Sequence, residues 1–485
     1  MSEHREHRSV EYTEVDGGYF EKRGLKRYAR VWSLWALGVG AVISGDFFGW
    51  NFGLGAGGFG GMLVATGIIT VMYAGLCFSI AEMSPALPHT GGAYSFARTA
   101  MGPWGAYVTG LAENMEYILT PAVIVVAIGG YLGAIFETPE SWAPLWWLLA
   151  YGVFVGLNVY GVEASFRFTV LITFGALGIL GVFFVGAIPH LDLSHALDVP
   201  VTDGDRWFPH GTTGVLGALP FAMWFYLAIE ELPLAAEEAH DPARDMPRGI
   251  LFGLLTLVVT AVLTLVMNSA IPPGAHAISE SEEPLFDGLR TIFGDGLGAK
   301  ALALVAVTGL VASFHTIIFA YGRQIYSLSR AGYFPRVLSL THPTRKTPHV
   351  SLLTGATLGF GVALLIHFLP QDHPVGAVLL NMAVFGAVIS YVLQMLSFIL
   401  LRVRYPKLPR PYRSPFGIPG AVVAMAIALA TLVTLFIVDE VYRKVVIGAA
   451  IWYAAGLLYF AVYARHRLVY SPEEDFAEHA TEDPS

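Results

Sequence analysis

Asp46 stands in the first long apolar run of the chain, directly after Ser44 and Gly45. A charge near a bilayer centre costs about 2.5 to 3.5 kcal/mol on insertion scales, so such a residue faces a partner, a cavity or a bound ion. A carboxylate there selects for cations. Glu113 and Glu116 repeat the theme in the third apolar run, sharing a helical face with Tyr117, Thr120 and Ile124 at three- and four-residue steps. Two carboxylates one turn apart repel unless one holds a proton or a cation sits between them. In the sixth run, Trp224 and Tyr226 precede Glu230. An aromatic face beside a desolvated ammonium is worth roughly 0.5 to 2 kcal/mol. Core or interfacial packing accounts for most of the 10 tryptophans, and Trp224 is singled out only by its position.

The elements that position these groups follow from composition. The 485 residues are 55% hydrophobic and 13% charged, with a mean hydropathy of +0.59. Soluble domains carry roughly 25% charged residues, so the chain reads as an all-α integral membrane protein. Apolar runs near the roughly 20 residues that span a bilayer predict twelve helices, and the ten-residue alternating strands of a membrane barrel are missing. The spans are placed at 31–53, 58–86, 103–136, 145–160, 164–188, 215–235, 249–271, 297–328, 350–368, 375–401, 418–438 and 445–464. Lys and Arg concentrate on one side: Lys22 to Arg30, Arg244, Arg248, Arg330 to Lys346 and Arg402 to Arg413. The positive-inside rule then puts both termini in the cytoplasm. Arg323, Arg330 and Arg402 to Arg413 read as interfacial anchors, and the acidic tail from Glu473 to Asp483 as solvated and disordered. The net charge of −9, held mostly in tails and outer loops, points to no nucleic-acid partner. Residues 1–30 are polar and long, so no cleavable signal peptide is expected and the first span acts as its own insertion signal. Cys77, the lone cysteine, is a small core residue.

Two spans are interrupted, and five positions separate them in order. The first meets Ser44-Gly45-Asp46; the sixth contains Pro220 and runs into Glu230-Glu231-Leu232-Pro233. Non-helical backbone at membrane depth survives only inside protein or along a watery cavity, and paired breaks in two halves point to a transporter's central site. Ordinary kinks would explain glycine and proline alone; a carboxylate beside each break argues otherwise.

The loops after the second and sixth spans, Ala81-Glu82-Met83-Ser84-Pro85 to Gly91-Gly92-Ala93-Tyr94 and Ala236-Glu237-Glu238-Ala239-His240-Asp241-Pro242 to Pro247-Arg248, resemble signatures of the amino acid, polyamine and organocation transporter superfamily. Ile229-Glu230 similarly matches the Phe-Glu that closes its sixth-helix motif, and the resemblance covers about residues 31 to 402. Val42 to Asn51 and Leu111 to Pro121 look like the bacterial ethanolamine permease branch. The resemblance implies a LeuT-like 5+5 inverted repeat: a cytoplasmic tail at 1–30, helices 1–5 at 31–188, helices 6–10 at 212–402, two further helices at 416–465 and a cytoplasmic tail at 466–485. It also implies a bacterial cytoplasmic membrane and alternating access around a midplane site between spans one, three, six and eight.

In amino acid carriers of that superfamily the first break offers backbone amides to the substrate carboxylate. Here Ser44-Gly45-Asp46 overlies the tripeptide, so an acid replaces its last small residue, repelling a substrate carboxylate and attracting an ammonium. The position of Trp224 resembles that of an aromatic stacking on the cation in related arginine carriers. The substrate group is therefore expected to be Ser44, Gly45, Asp46, Glu113, Tyr117, Thr120, Trp224 and Tyr226, receiving a small cationic amine such as ethanolamine. Glu116, Glu230, Ser313, His315 and Thr316 are candidates for gating or for coupling to H+ or Na+. Glu116-Tyr117 also matches a pair common in the superfamily, so a structural role is as good a reading of Glu116; for His315 a neutral ring bonded within the helices ranks ahead of proton coupling. Span five has Phe174-Gly175-Ala176 where some proton-coupled relatives carry a lysine. An amino acid or polyamine exchanger is the nearest rival, and a non-transporting receptor a more distant one. An enzyme is not expected: the chain has no His-Glu-x-x-His, no Gly-x-Ser-x-Gly, no clustered Cys and His ligands, and no expected metal or cofactor. Oligomeric state is left open.

Overall fold

In hydrocarbon every backbone polar group must be satisfied within the chain, so uninterrupted apolar runs become helices. The computed structural model describes residues 10–16, 18–294, 296–368, 375–438 and 440–470. The acidic tail from Glu473 to Asp483 lies outside the described residues. In chain order the α-helices are α1 Val31–Val42, α2 Ser44–Phe47, α3 Phe52–Ala86, α4 Gly92–Phe136, α5 Ala143–Tyr160, α6 Val162–Ala187, α7 Leu193–Ala196, α8 Gly211–Ala222, α9 Pro242–Ser269, α10 Ala275–Ser279, α11 Pro284–Phe293, α12 Leu297–Arg330, α13 His349–Phe368, α14 Val375–Arg404, α15 Gly417–Val438 and α16 Glu440–Val462. Among the described residues, ten helical segments are long and apolar enough to cross a membrane. The short first span Val31–Phe47 and α12 complete the expected twelve.

Burial separates an inner bundle from a periphery. The hydrophobic window of the segment from Gly211 to Glu238 is 72% buried and that of α4 is 67% buried, against 17% for the segment containing α16. α14 packs along α4, α3 along α8, and α12 along both α4 and α6. Leu171, Val185, Leu255, Ile451 and Leu458 are exposed, as apolar side chains facing lipid would be.

Both interruptions are present, with edges the sequence placed only coarsely. The first span turns at Ile43, resumes for one turn as α2, then opens at Phe48 with extended backbone. Gly58, at φ +67°, makes the corner within α3 that separates the end of the first span from the second, a conformation that would strain any side chain. The sixth span passes from α8 through a 3-10 turn at Met223–Phe225 to Ala228 in the left-handed region, then continues as a ten-residue 3-10 segment, Ile229–Glu238. Runs of 3-10 helix beyond three or four residues are uncommon and mark hinges or strain. Pro233 within the segment has no N–H to offer an α-helical ladder.

Candidate functional site

The two breaks meet at Gly45. A Cβ built there would lie 1.8 Å from the carbonyl oxygen of Trp224, so the main chains approach as closely as glycine permits. The Trp224 indole lies over Gly49, and its ring centroid is 5.6 Å from that of Phe48. In an unbroken helix the Ser44 amide would donate to the carbonyl of Gly40. Instead the Ser313 hydroxyl of α12 inserts between them, accepting from Ser44 N at 3.0 Å and donating to Gly40 O at 2.9 Å. A side chain entering the helical ladder is a recognised cause of a kink.

Asp46 follows at once, on α2. Its carboxylate is buried, and among the described residues neither oxygen has a hydrogen-bond partner. Thr260 and Thr264 of α9 face it without closing to hydrogen-bond geometry, and Tyr226 lies within its electrostatic reach. The Tyr226 hydroxyl bonds to that of Thr70 at 2.6 Å. Ser44, Gly45, Asp46, Trp224 and Tyr226 thus gather around one junction, on the side facing α9.

A second group forms between α4 and the 3-10 segment of the sixth span. Glu113, Glu116, Glu230 and Glu231 are all buried and interact with one another. Glu113 Oε2 accepts from the Gln324 amide at 2.7 Å; among the described residues the other seven carboxylate oxygens of the four have no hydrogen-bond partner. Tyr117 stands among them with an unpartnered, fully enclosed phenol. The Thr120 hydroxyl turns back to donate to the Glu116 carbonyl at 2.8 Å. Buried carboxylates within reach of one another require protons or cations to relieve their repulsion. Glu231 was not among the expected residues, although two consecutive acids at a break were its visible signal. A layer of tyrosines adjoins both groups: the rings of Tyr226 and Tyr73 are 5.1 Å apart, and the Tyr73 hydroxyl donates to that of Tyr391 at 3.0 Å. Among the described residues, no three His, Cys, Asp or Glu side chains converge as a metal site would require.

Comparison with known proteins gives this arrangement its context. The family model for the amino acid permease matches residues 34–472. The chain belongs to the amino acid permease family. It is similar to an uncharacterized transporter of Rhizobium meliloti, 28% identical with 88% of this chain and 89% of the relative covered. It is also similar to two Bacillus subtilis proteins: the branched-chain amino acid permease BcaP, 26% identical over 92% of this chain and 94% of the relative, and a methylthioribose transporter, 24% identical over 92% and 95%. The twelve-helix, all-α architecture is that of the amino acid, polyamine and organocation superfamily, and the protein is a multi-pass membrane transporter.

The remaining candidates of the permease lie outside both groups. His315 is enclosed by α5 and α6: Asn158 Nδ2 donates to its Nδ1 at 3.2 Å, and its Nε2 meets the Ser165 hydroxyl at 3.1 Å. Ser165 in turn donates to Asn158 Oδ1 at 3.1 Å, so both ring nitrogens are used when Nε2 carries the proton and the ring is neutral. Phe154 and Phe168 flank it edge-on. Thr316 directs its hydroxyl to the carbonyls of Ala312 and Ser313 within its own helix.

The expectation that Arg323, Arg330, Arg402 and Arg410 are interfacial anchors is corrected by their partners. Arg323 is fully buried, pairs with Glu238 through Nε at 3.2 Å and Nη2 at 2.9 Å, and lies 3.6 Å above the Phe319 ring centroid. Arg330, one heptad further along α12, clamps the neighbouring Glu237. Arg402 and Arg410 converge on buried Glu82 at the end of α3, which also accepts from the Ser414 amide at 2.7 Å. In the sequence these arginines read as surface charge because their carboxylates are 85 to 328 residues distant. The polar chain before the first span is similarly engaged: Tyr19 donates to the Arg330 carbonyl at 2.8 Å, Arg23 to Ser339 at 2.7 Å, and the amides of Tyr28 and Ala29 to the Glu238 carbonyl. Burial raises the pKa of the Tyr19 phenol, which keeps it a donor near neutral pH.

Proposed function

We propose that the permease imports ethanolamine or a similarly small cationic amino alcohol by alternating access, with Asp46 receiving the ammonium at the first break. The observation that carries this reading is a buried carboxylate with two unsatisfied oxygens at the junction of the broken helices. Ethanolamine brings one positive charge to neutralise it. Its hydroxyl needs a neutral partner, for which the Tyr226–Thr70 pair is suited, because leaving it unpaired would cost roughly 1 to 3 kcal/mol. Trp224, packed over Gly49, would cover the ammonium or the ethylene portion. In this reading Glu113, Glu116, Tyr117 and Glu230, with Glu231, form a separate coupling centre that exchanges a proton or cation during the cycle. Residues 31–188 and 212–402 act as the two repeats, and the Lys and Arg distribution supports cytoplasmic termini in a bacterial inner membrane.

A second reading, amino acid transport, is favoured by the name of one relative, the branched-chain amino acid permease of Bacillus subtilis. The two separate on charge. A free amino acid would bring its carboxylate toward Asp46, so glycine and alanine should compete poorly for a site built around that acid. Uptake of radiolabelled ethanolamine into proteoliposomes, with proton and sodium gradients imposed separately and glycine, alanine, ethylamine and putrescine as competitors, tests both readings. Preferential inhibition by glycine or alanine would reject the amino alcohol and establish the amino acid carrier.

A further inference from the structure

Thr260 and Thr264 stand one helical turn apart on α9, both buried, on the face toward Asp46. Among the described residues the Thr264 hydroxyl has no partner in hydrogen-bond geometry. The Thr260 hydroxyl donates back to Leu257 O at 3.3 Å, leaving its lone pairs unused. One turn further along, the Asn268 side chain gives its amide to Pro284 O at 3.1 Å and leaves its carbonyl oxygen unpartnered. A buried hydroxyl in a membrane helix usually bonds to its own backbone, as Thr120 and Thr316 do here. Thr264 does not, and it faces a carboxylate whose two oxygens are equally unsatisfied.

A primary ammonium has three N–H donors, and an aspartate offers two oxygens to receive them. We propose that α9 completes the ammonium site at the first break, with the Thr264 hydroxyl, backed by Thr260, acting as the third acceptor beside Asp46, so that the permease selects primary ammonium ions over N-methylated ones. The inference rests on Asp46 being the ammonium acceptor and names what that reading lacked, a group that counts N–H bonds. Charge alone attracts choline and ethanolamine alike; a third acceptor rewards only the cation that still has a third proton to give.

The test is a competition series on the full-length protein in proteoliposomes: unlabelled ethanolamine, N-methylethanolamine, N,N-dimethylethanolamine and choline against radiolabelled ethanolamine, for wild type, Thr264→Val, Thr264→Ser and Asp46→Asn. The wild type should weaken stepwise as N–H bonds are lost, by roughly tenfold per lost charge-assisted bond. Thr264→Val, nearly isosteric but without the hydroxyl, should compress the ratio of ethanolamine to N,N-dimethylethanolamine affinity by about tenfold, and Thr264→Ser should restore it. An unchanged ratio in Thr264→Val, alongside loss of binding in Asp46→Asn, overturns the role of α9 and leaves the functional reading standing. Undiminished ethanolamine affinity in Asp46→Asn overturns the functional reading itself. Should Thr264→Val not fold, the wild-type series still decides: choline bound as tightly as ethanolamine refutes the proposal.

Discussion

Replacing Arg323 by Met should be among the most damaging single changes in this protein. Arg323 and Glu238 are both fully buried, joined by two hydrogen bonds at 2.9 and 3.2 Å, with the guanidinium stacked 3.6 Å from the Phe319 ring centroid. Removing one member of such a pair strands the other charge without water, a loss of about 3 to 5 kcal/mol. Losing the stack on Phe319 adds roughly 0.5 to 2 kcal/mol. Solvent screening offers no discount at zero exposure. If the stranded charge is the cause, neutralising it as well should help: Arg323→Met with Glu238→Gln should recover most of the loss, because well-packed neutral replacements of a buried pair are often neutral or stabilising. Unfolding by SDS titration in mixed micelles, run on both single variants and the double variant, measures this coupling. A single-variant loss under about 1 kcal/mol, or a double variant no more stable than the Met single, would show that a stranded Glu238 charge is not what destabilises the protein.

Asp46→Asn should abolish or greatly weaken ethanolamine binding while leaving a monodisperse protein, since the carboxylate makes no internal hydrogen bond that folding depends on; near-normal affinity by scintillation proximity would remove it from the site. Trp224→Phe should retain more ethanolamine affinity than Trp224→Leu, because phenyl keeps a weaker quadrupole and leucine none, and equal losses would leave only a packing role. Gly45→Ala should disrupt the junction of the two breaks: its Cβ would meet the Trp224 carbonyl oxygen at 1.8 Å, a backbone atom that cannot swing aside. Wild-type uptake by Gly45→Ala would show that the two backbones are not held as closely as described.

Sequence alone determined that the chain spans a membrane twelve times, where most helices run and that the first and sixth are broken. Those features depend on local composition and backbone chemistry: apolar runs of bilayer length, and Gly or Pro where a ladder must fail. It also identified the acids, because an Asp or Glu inside an apolar run is conspicuous one residue at a time. What the sequence could not decide was which acids share a site. Asp46 turned toward Thr260 and Thr264 of α9, not toward the expected α4 face, while Glu113 and Glu116 joined Glu230 and Glu231 in a separate group. That division follows from the backbone path through Ile43, Phe48 and Ala228, which sets the direction of each side chain after a break and has no periodicity to read. Long-range pairing was equally hidden. Arg323 and Glu238, or Arg402 and Glu82, are ordinary charges until helix packing brings them together, and at zero or near-zero exposure Glu238 and Glu82 depend on the arginine that tertiary structure supplies.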